Sequence, residues 1–118
     1  MSETSDENSI SIEITGGALV ARPEIKLLDE ASLKNLERAI DDACKQHAGV
    51  QLVVLDLSSV AILPSLGLGL LVQVQNKCKA RQQAVKLAAV QPQIRQVLAI
   101  TRLDRIFQFS ESVRAAIG

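Results

Sequence analysis

Few residues of this 118-residue chain have the type and spacing to do chemistry, and Ser65 leads them. It follows Pro64 and precedes Leu66-Gly67-Leu68-Gly69-Leu70, an apolar run of helical length. Pro64 bars an earlier helix start and pushes Leu63 towards an extended conformation. Ser65 therefore stands where an N-cap is expected, its hydroxyl able to accept from the unpaired backbone N–H of Gly67 or Leu68. A serine displayed there is either a plain cap or a group that another protein can modify.

The other candidates are weaker. Asp56 ends the apolar run Leu52–Leu55, a position from which a carboxylate can accept a phosphoryl group. That chemistry needs further carboxylates at an earlier strand end to hold magnesium. Glu13 sits alone within its own segment, so Asp56 is expected instead to accept backbone N–H groups in the Leu57–Val60 turn. His47 is the one histidine and falls at a frayed helix end, where a dipole contact explains it. Cys44 and Cys78 lie on predicted helix faces without metal spacing and read as small buried hydrophobes of a reducing compartment. Ser59 and Thr101 read as turn or cap residues. No Gly-rich phosphate loop, no Gly-x-Ser-x-Gly turn and no Cys–His spacing is present, and pairing Ser65 with His47 would require two different helix ends to converge. The expectation is a non-enzymatic protein with no metal site and no cofactor.

The elements that would position Ser65 run from Leu52 to Val72. Leu52–Leu57 is continuous, apolar and β-branched in part, as a strand covered on both faces is. Ser65–Arg81 is the following helix. Laid on a wheel at about 100° per residue, Leu68, Leu71, Val72 and Cys78 form an inward stripe, and Leu66, Leu70 and Val74 a second one beside it. The apolar arc is roughly 240°, against the ~100° that docking on a sheet requires. The excess is either covered by a neighbouring helix or left as a patch for a partner. Gly67 and Gly69 would leave one flank of the first turn bare.

Leu52–Gln108 resembles the STAS family (sulfate transporter and anti-sigma factor antagonist domains). The likeness rests on LVVLDLSSV, PSLGLGLL, NKCKAR, AVKLAAV, QPQIRQVLAIT and RLDRIF. The family signature at the helix start is Asp-Ser-x-Gly, with the serine phosphorylated by a partner kinase. Here Ser65 and Gly67 match, and Pro64 replaces the acid. The resemblance implies an α/β fold with a mostly parallel central sheet of about four to six strands, an N-terminal hairpin and about four helices. It also implies a protein partner, a serine kinase or anti-sigma factor, docking on Pro64, Ser65, Leu66, Gly67, Leu70 and Val74 and released when Ser65 is phosphorylated. The alternative is a scaffold subunit whose fold holds a stable assembly without a working switch.

The rest of the chain agrees with that order. Met1–Ser9 is a polar tail expected to be disordered, and residues 10–118 form one domain, in keeping with the usual size of about 100–150 residues. Ile10–Ile14 alternates as a half-buried strand; Gly16-Gly17 is a turn into Ala18–Ala21, whose run Pro23 limits. Asp29 or Ser32 caps a helix with core face Leu33, Leu36, Ile40, Ala43 and Cys44. Ala84–Val90 is a strand; Pro92 opens a helix carrying Ile94, Val97 and Leu98; Ile106–Phe109 is a last strand. Ser110 is expected to cap a terminal helix with Glu111 in its first turn and Val113, Ala116 and Ile117 facing inward.

Charge separates along the chain although the net is zero. Met1–Asp56 holds eleven acids and five bases, Leu57–Gly118 two acids and eight bases, an asymmetry that can steer a polarised partner. Phe107 and Phe109 are the only aromatics, which with zero net charge argues against a nucleic-acid surface. The N-terminus lacks the basic and apolar regions of a signal peptide, and no run is long enough for a bilayer, so a cytoplasmic location without membrane association is expected. Self-association through Leu66, Leu70 and Val74 stays open.

Overall fold

The computed structural model describes residues 10–118, so the expectation for Met1–Ser9 lies outside the described residues. β1 (Ile10–Thr15) and β2 (Ala18–Pro23) form an antiparallel hairpin with Thr15 opposite Ala18. The two-residue loop has φ +58° at Gly16, the first loop position, where a left-handed backbone calls for glycine. β3 (Leu52–Asp56), β4 (Ala84–Ala88) and β5 (Gln108–Ser110) then add in parallel, giving the order β1-β2-β3-β4-β5.

Each parallel step needs a crossover, and α1 (Glu30–Gln46), α2 (Ser65–Ala80) and α3 (Pro92–Ile100) supply the three. Successive right-handed crossovers that all advance in one direction put their helices on one face of the sheet. The core shows it. Leu19, Ala21, Val53, Leu55, Val85 and Leu87 point to that face and pack with Leu33, Leu36 and Ile40 of α1, Leu71 and Cys78 of α2, and Ile94 and Leu98 of α3. Side chains alternate across a strand, so Val20, Val54 and Ala88 point the other way. There, among the described residues, they cluster with Ala116, with Leu52 and Val113 at the edge. Ala116 and Val113 belong to α4 (Val113–Ile117), a short helix that follows β5 and crosses to the second face.

The fold thus has the expected class, element order, hairpin and four helices. Five local expectations are corrected. β3 ends at Asp56 and β4 at Ala88, because the carboxylate of Asp56 and a positive φ of 55° at Ala89 turn the chain away. β5 starts two residues later than expected, since Ile106 closes a 3-10 turn over Leu103–Arg105 and Phe107 plugs the core before pairing begins. Ser112, not Ser110, caps α4, accepting from Ala115 N–H at 3.0 Å while Ser110 pairs with Ala88. Ile117 faces out, because the thin second face has room only for Ala116 and Val113.

Candidate functional site

α2 begins at Ser65, but the serine does not cap it. Pro64 holds the N-cap position, with extended φ −66° and ψ 161°, and no side chain accepts from the first turn. Pro64 fixes its own φ and offers only its carbonyl, which takes the Gly67 N–H at 2.8 Å. Ser65 is then the first helical residue and points into solvent. Among the described residues, the backbone N–H groups of Ser65 and Leu66 reach no backbone acceptor. The local site is an exposed hydroxyl over two open donors at the positive end of a 16-residue helix.

The start of α2 is held from behind. Asp56 accepts the Ser58 N–H at 3.0 Å, as expected of it, and is also gripped by Arg22 on β2 at 2.7 Å, a partner the sequence did not announce. Burial pushes the Asp56 carboxyl up, but the Arg22 guanidinium and the Ser58 hydrogen bonds outweigh it and hold the group below the ordinary carboxylate range. Its partner is shifted the opposite way, the Arg22 guanidinium being raised by the same hydrogen bond. Further along the loop, Ala61 and Ile62 N–H donate to Lys26 carbonyl and Leu28 N–H returns to Ile62 carbonyl. Leu28 and Leu63 are buried beneath.

Gly67 completes this seat and departs from expectation. It is buried, and a Cβ there would stand 3.0 Å from methyls of Leu33 and Leu63 and 3.2 Å from the Leu28 carbonyl. Its missing side chain admits the protein's own chain, not a partner. Gly69 is the open one, exposed and with nothing within 4 Å of the point a Cβ would occupy. Of the second apolar stripe, Val74 is 2% exposed and belongs to the core, because α1 lies against that side of α2; Leu70 is half-buried; only Leu66 stands free, at 75%. Gln75 is buried as well, its amide donating to the Ile106 carbonyl at 2.7 Å. The surface at the α2 start therefore consists of Pro64, Ser65, Leu66 and Gly69, with Leu70 at its edge.

Two exposed residues extend it: Ile62, in the Leu57–Leu63 loop expected beside the helix start, and Leu27, which the sequence reading did not include. Leu27 and Ile62 form an isolated parallel bridge and are 43% and 55% exposed. Their spacing in the chain carries no period, so only the fold brings them together. The remaining candidates stay apart. His47 is exposed at the C-terminal end of α1, and Thr101 caps α3 by donating to Val97 and Leu98 carbonyls. Cys44 and Cys78 are buried and free; burial pushes the Cys78 thiol up, away from reactivity. Among the described residues no group of His, Cys, Asp and Glu could hold a metal ion, and no helix is long and apolar enough to cross a membrane.

Comparison with solved structures finds the same architecture at low identity. A Thermotoga maritima protein aligns at 18% identity over 96% of this chain and 95% of its own, with a TM-score of 0.79. An anti-sigma factor antagonist from Mycobacterium paratuberculosis aligns at 25% identity over 92% of this chain and 89% of its own, with a TM-score of 0.74. The Bacillus cell fate determinant SpoIIAA in its phosphorylated form aligns at 20% identity over 90% of this chain and 95% of its own, with a TM-score of 0.65. The sequence profile of the STAS domain matches residues 9–116, from the first strand to the last helix, and the chain belongs to the STAS domain family.

Proposed function

We propose that this chain is a non-enzymatic regulatory module of the anti-sigma factor antagonist type, docking a kinase or anti-sigma factor on the start of α2 and switched by phosphorylation of Ser65. The observation that carries the reading is the exposure of Ser65 beside Leu66, Ile62 and Leu27, three large apolar side chains that the described residues leave exposed. Such a patch suits a partner surface with an apolar centre and a polar rim. A phosphate on Ser65 would add about −1.5 to −2 charges at neutral pH. The helix start tolerates that charge, through its dipole and the open N–H groups of Ser65 and Leu66. A partner covering Leu66 would instead bury a dianion against apolar surface, so modification releases the partner and leaves the domain folded.

The family's own phosphorylation precedent supports this reading through SpoIIAA, whose phosphorylated form has the same fold. One observation favours the scaffold alternative: Pro64 stands where the signature has an acid and supplies no side-chain acceptor to orient the Ser65 hydroxyl. Incubation of wild type and Ser65→Ala with ATP and each serine kinase of the source organism, read by intact-mass spectrometry, separates the two. One phosphoryl group on wild type and none on Ser65→Ala is the expected result. Tight kinase binding to both proteins without phosphate transfer would select the scaffold.

A further inference from the structure

A second feature lies where the chain reverses its choice of sheet face. β4 leads into α3 on the three-helix face, and β5 leads into α4 on the other. Two adjacent parallel strands whose following segments part in opposite directions leave a crevice at their carboxyl ends, the place where open α/β sheets take ligands. Here the crevice is a cavity of about 310 Å³ lined by Ala89, Val90, Arg95, Phe109, Ser110 and Glu111. That is the small end of the usual range for ligand pockets.

Its walls are fixed. Ala89 N–H donates to the Ser110 carbonyl at 3.1 Å, closing the two loops at the back. Gln91 at the foot of α3 donates to the Ser58 carbonyl at 2.7 Å, tying the rim to the β3–α2 loop. Arg95 lies over the Phe109 ring, 4.1 Å from its centroid, which orients the guanidinium while leaving its N–H fork unused. Among the described residues neither Arg95 nor Glu111 makes an ion pair. One cavity thus presents a cation and an anion, neither in an ion pair among the described residues, with Val90 and the Phe109 ring as apolar wall.

We propose that this crevice binds a small zwitterion, an α-amino acid with an aliphatic side chain, its carboxylate on Arg95, its ammonium on Glu111 and its side chain against Val90 and Phe109. A plain anion would satisfy Arg95 but share the cavity with the Glu111 carboxylate. A plain amine would meet the reverse. Carrying both charges resolves the conflict, and an arginine fork is suited to a carboxylate.

The test is a titration of the 15N-labelled full chain, followed by amide shifts, with L-leucine, with isoamylamine (no carboxylate), with 4-methylpentanoate (no amine) and with inorganic phosphate. Saturable shifts at Val90, Ser110 and Glu111 with L-leucine, weakened about tenfold or more in either single-charge analogue, are expected. Arg95→Met and Glu111→Gln should each weaken L-leucine to the same degree; both residues are exposed, and the unchanged remainder of the spectrum reports that the variants fold. Absence of saturable shifts with L-leucine up to about 10 mM overturns the proposal, since that corresponds to less than ~3 kcal/mol of binding. Equal binding of phosphate or 4-methylpentanoate, or tighter binding by Glu111→Gln, overturns it in favour of an unselective anion site. None of these outcomes bears on Ser65.

Discussion

α1 and α2 lie side by side on the same face of the sheet, 17 and 16 residues long, yet they start in opposite ways. α1 is finished from outside. Asp29 accepts the Ser32 N–H at 3.0 Å, a hydrogen bond that holds its carboxyl below the ordinary range, and the first turn carries Glu30 in an ion pair with Lys34. α2 has no side-chain cap and no acid in its first turn, and its outer surface is a serine and a leucine. Its position comes instead from the inner side, through Gly67 against Leu28, Leu33 and Leu63 and through the Asp56-anchored loop. A helix start held by a cap uses its exposed donors on itself. One held by packing keeps them, and the apolar residues beside them, for something else.

That contrast can be broken at its tightest point. Gly67→Val should destabilise the domain by about 1–3 kcal/mol, because the added methyls enter a fully occupied seat. Urea unfolding measures it, and an unchanged midpoint would mean that α2 is not seated on Gly67. The loop behind it gives the next effect. Arg22→Met removes the partner of a buried carboxylate and should cost about 1–3 kcal/mol near neutral pH.

The pH dependence of that loss has a definite sign. Asp56 has a folded pKa below its unfolded value, so its stabilisation is complete above the unfolded pKa of about 3.9 and disappears as pH falls through the folded value. The gap between wild type and Arg22→Met, followed by thermal melting, should therefore be constant from neutral pH down to about pH 5 and narrow in more acid solution. A gap that widens with acid would contradict the assignment.

Smaller effects sharpen the comparison. Asp29→Ala should lower the unfolding midpoint through loss of the α1 cap. Leu66→Ala, at the matching end of α2, should change stability by less than about 0.5 kcal/mol, because the side chain is already in water. The same substitution should weaken a partner that docks at Ser65, which a binding titration with the kinase identified by phosphate transfer would record. Equal stability losses in the two variants would mean that the two helix starts are built alike.

Much of this was legible in the chain. The alternation of Ile10–Ile14 marked a strand with one buried face, the unbroken apolar Leu52–Leu55 a strand covered twice, and Pro64 the point before which α2 could not begin. The N-cap was not legible, because proline and serine are both accepted at a helix start and only the backbone geometry shows which one stands outside it. The second apolar stripe of α2 misled for a related reason. A wheel shows that Val74 and Leu66 share a flank, but not that the fold buries Val74 to 2% and leaves Leu66 75% exposed.

By itself the sequence determined the order of strands and helices, the main inward stripe of the long helices and the presence of a serine where α2 begins, since these follow from contacts within one or two turns of chain. Tertiary structure alone decided that Arg22 meets Asp56 across 34 positions, that Leu27 lies beside Ile62, that Gly67 is filled by its own neighbours, and that Arg95 and Glu111 share a crevice. Local periodicity states which way a residue faces. What it faces depends on which distant segment the crossovers bring to that side of the sheet, and no pattern along the chain encodes it.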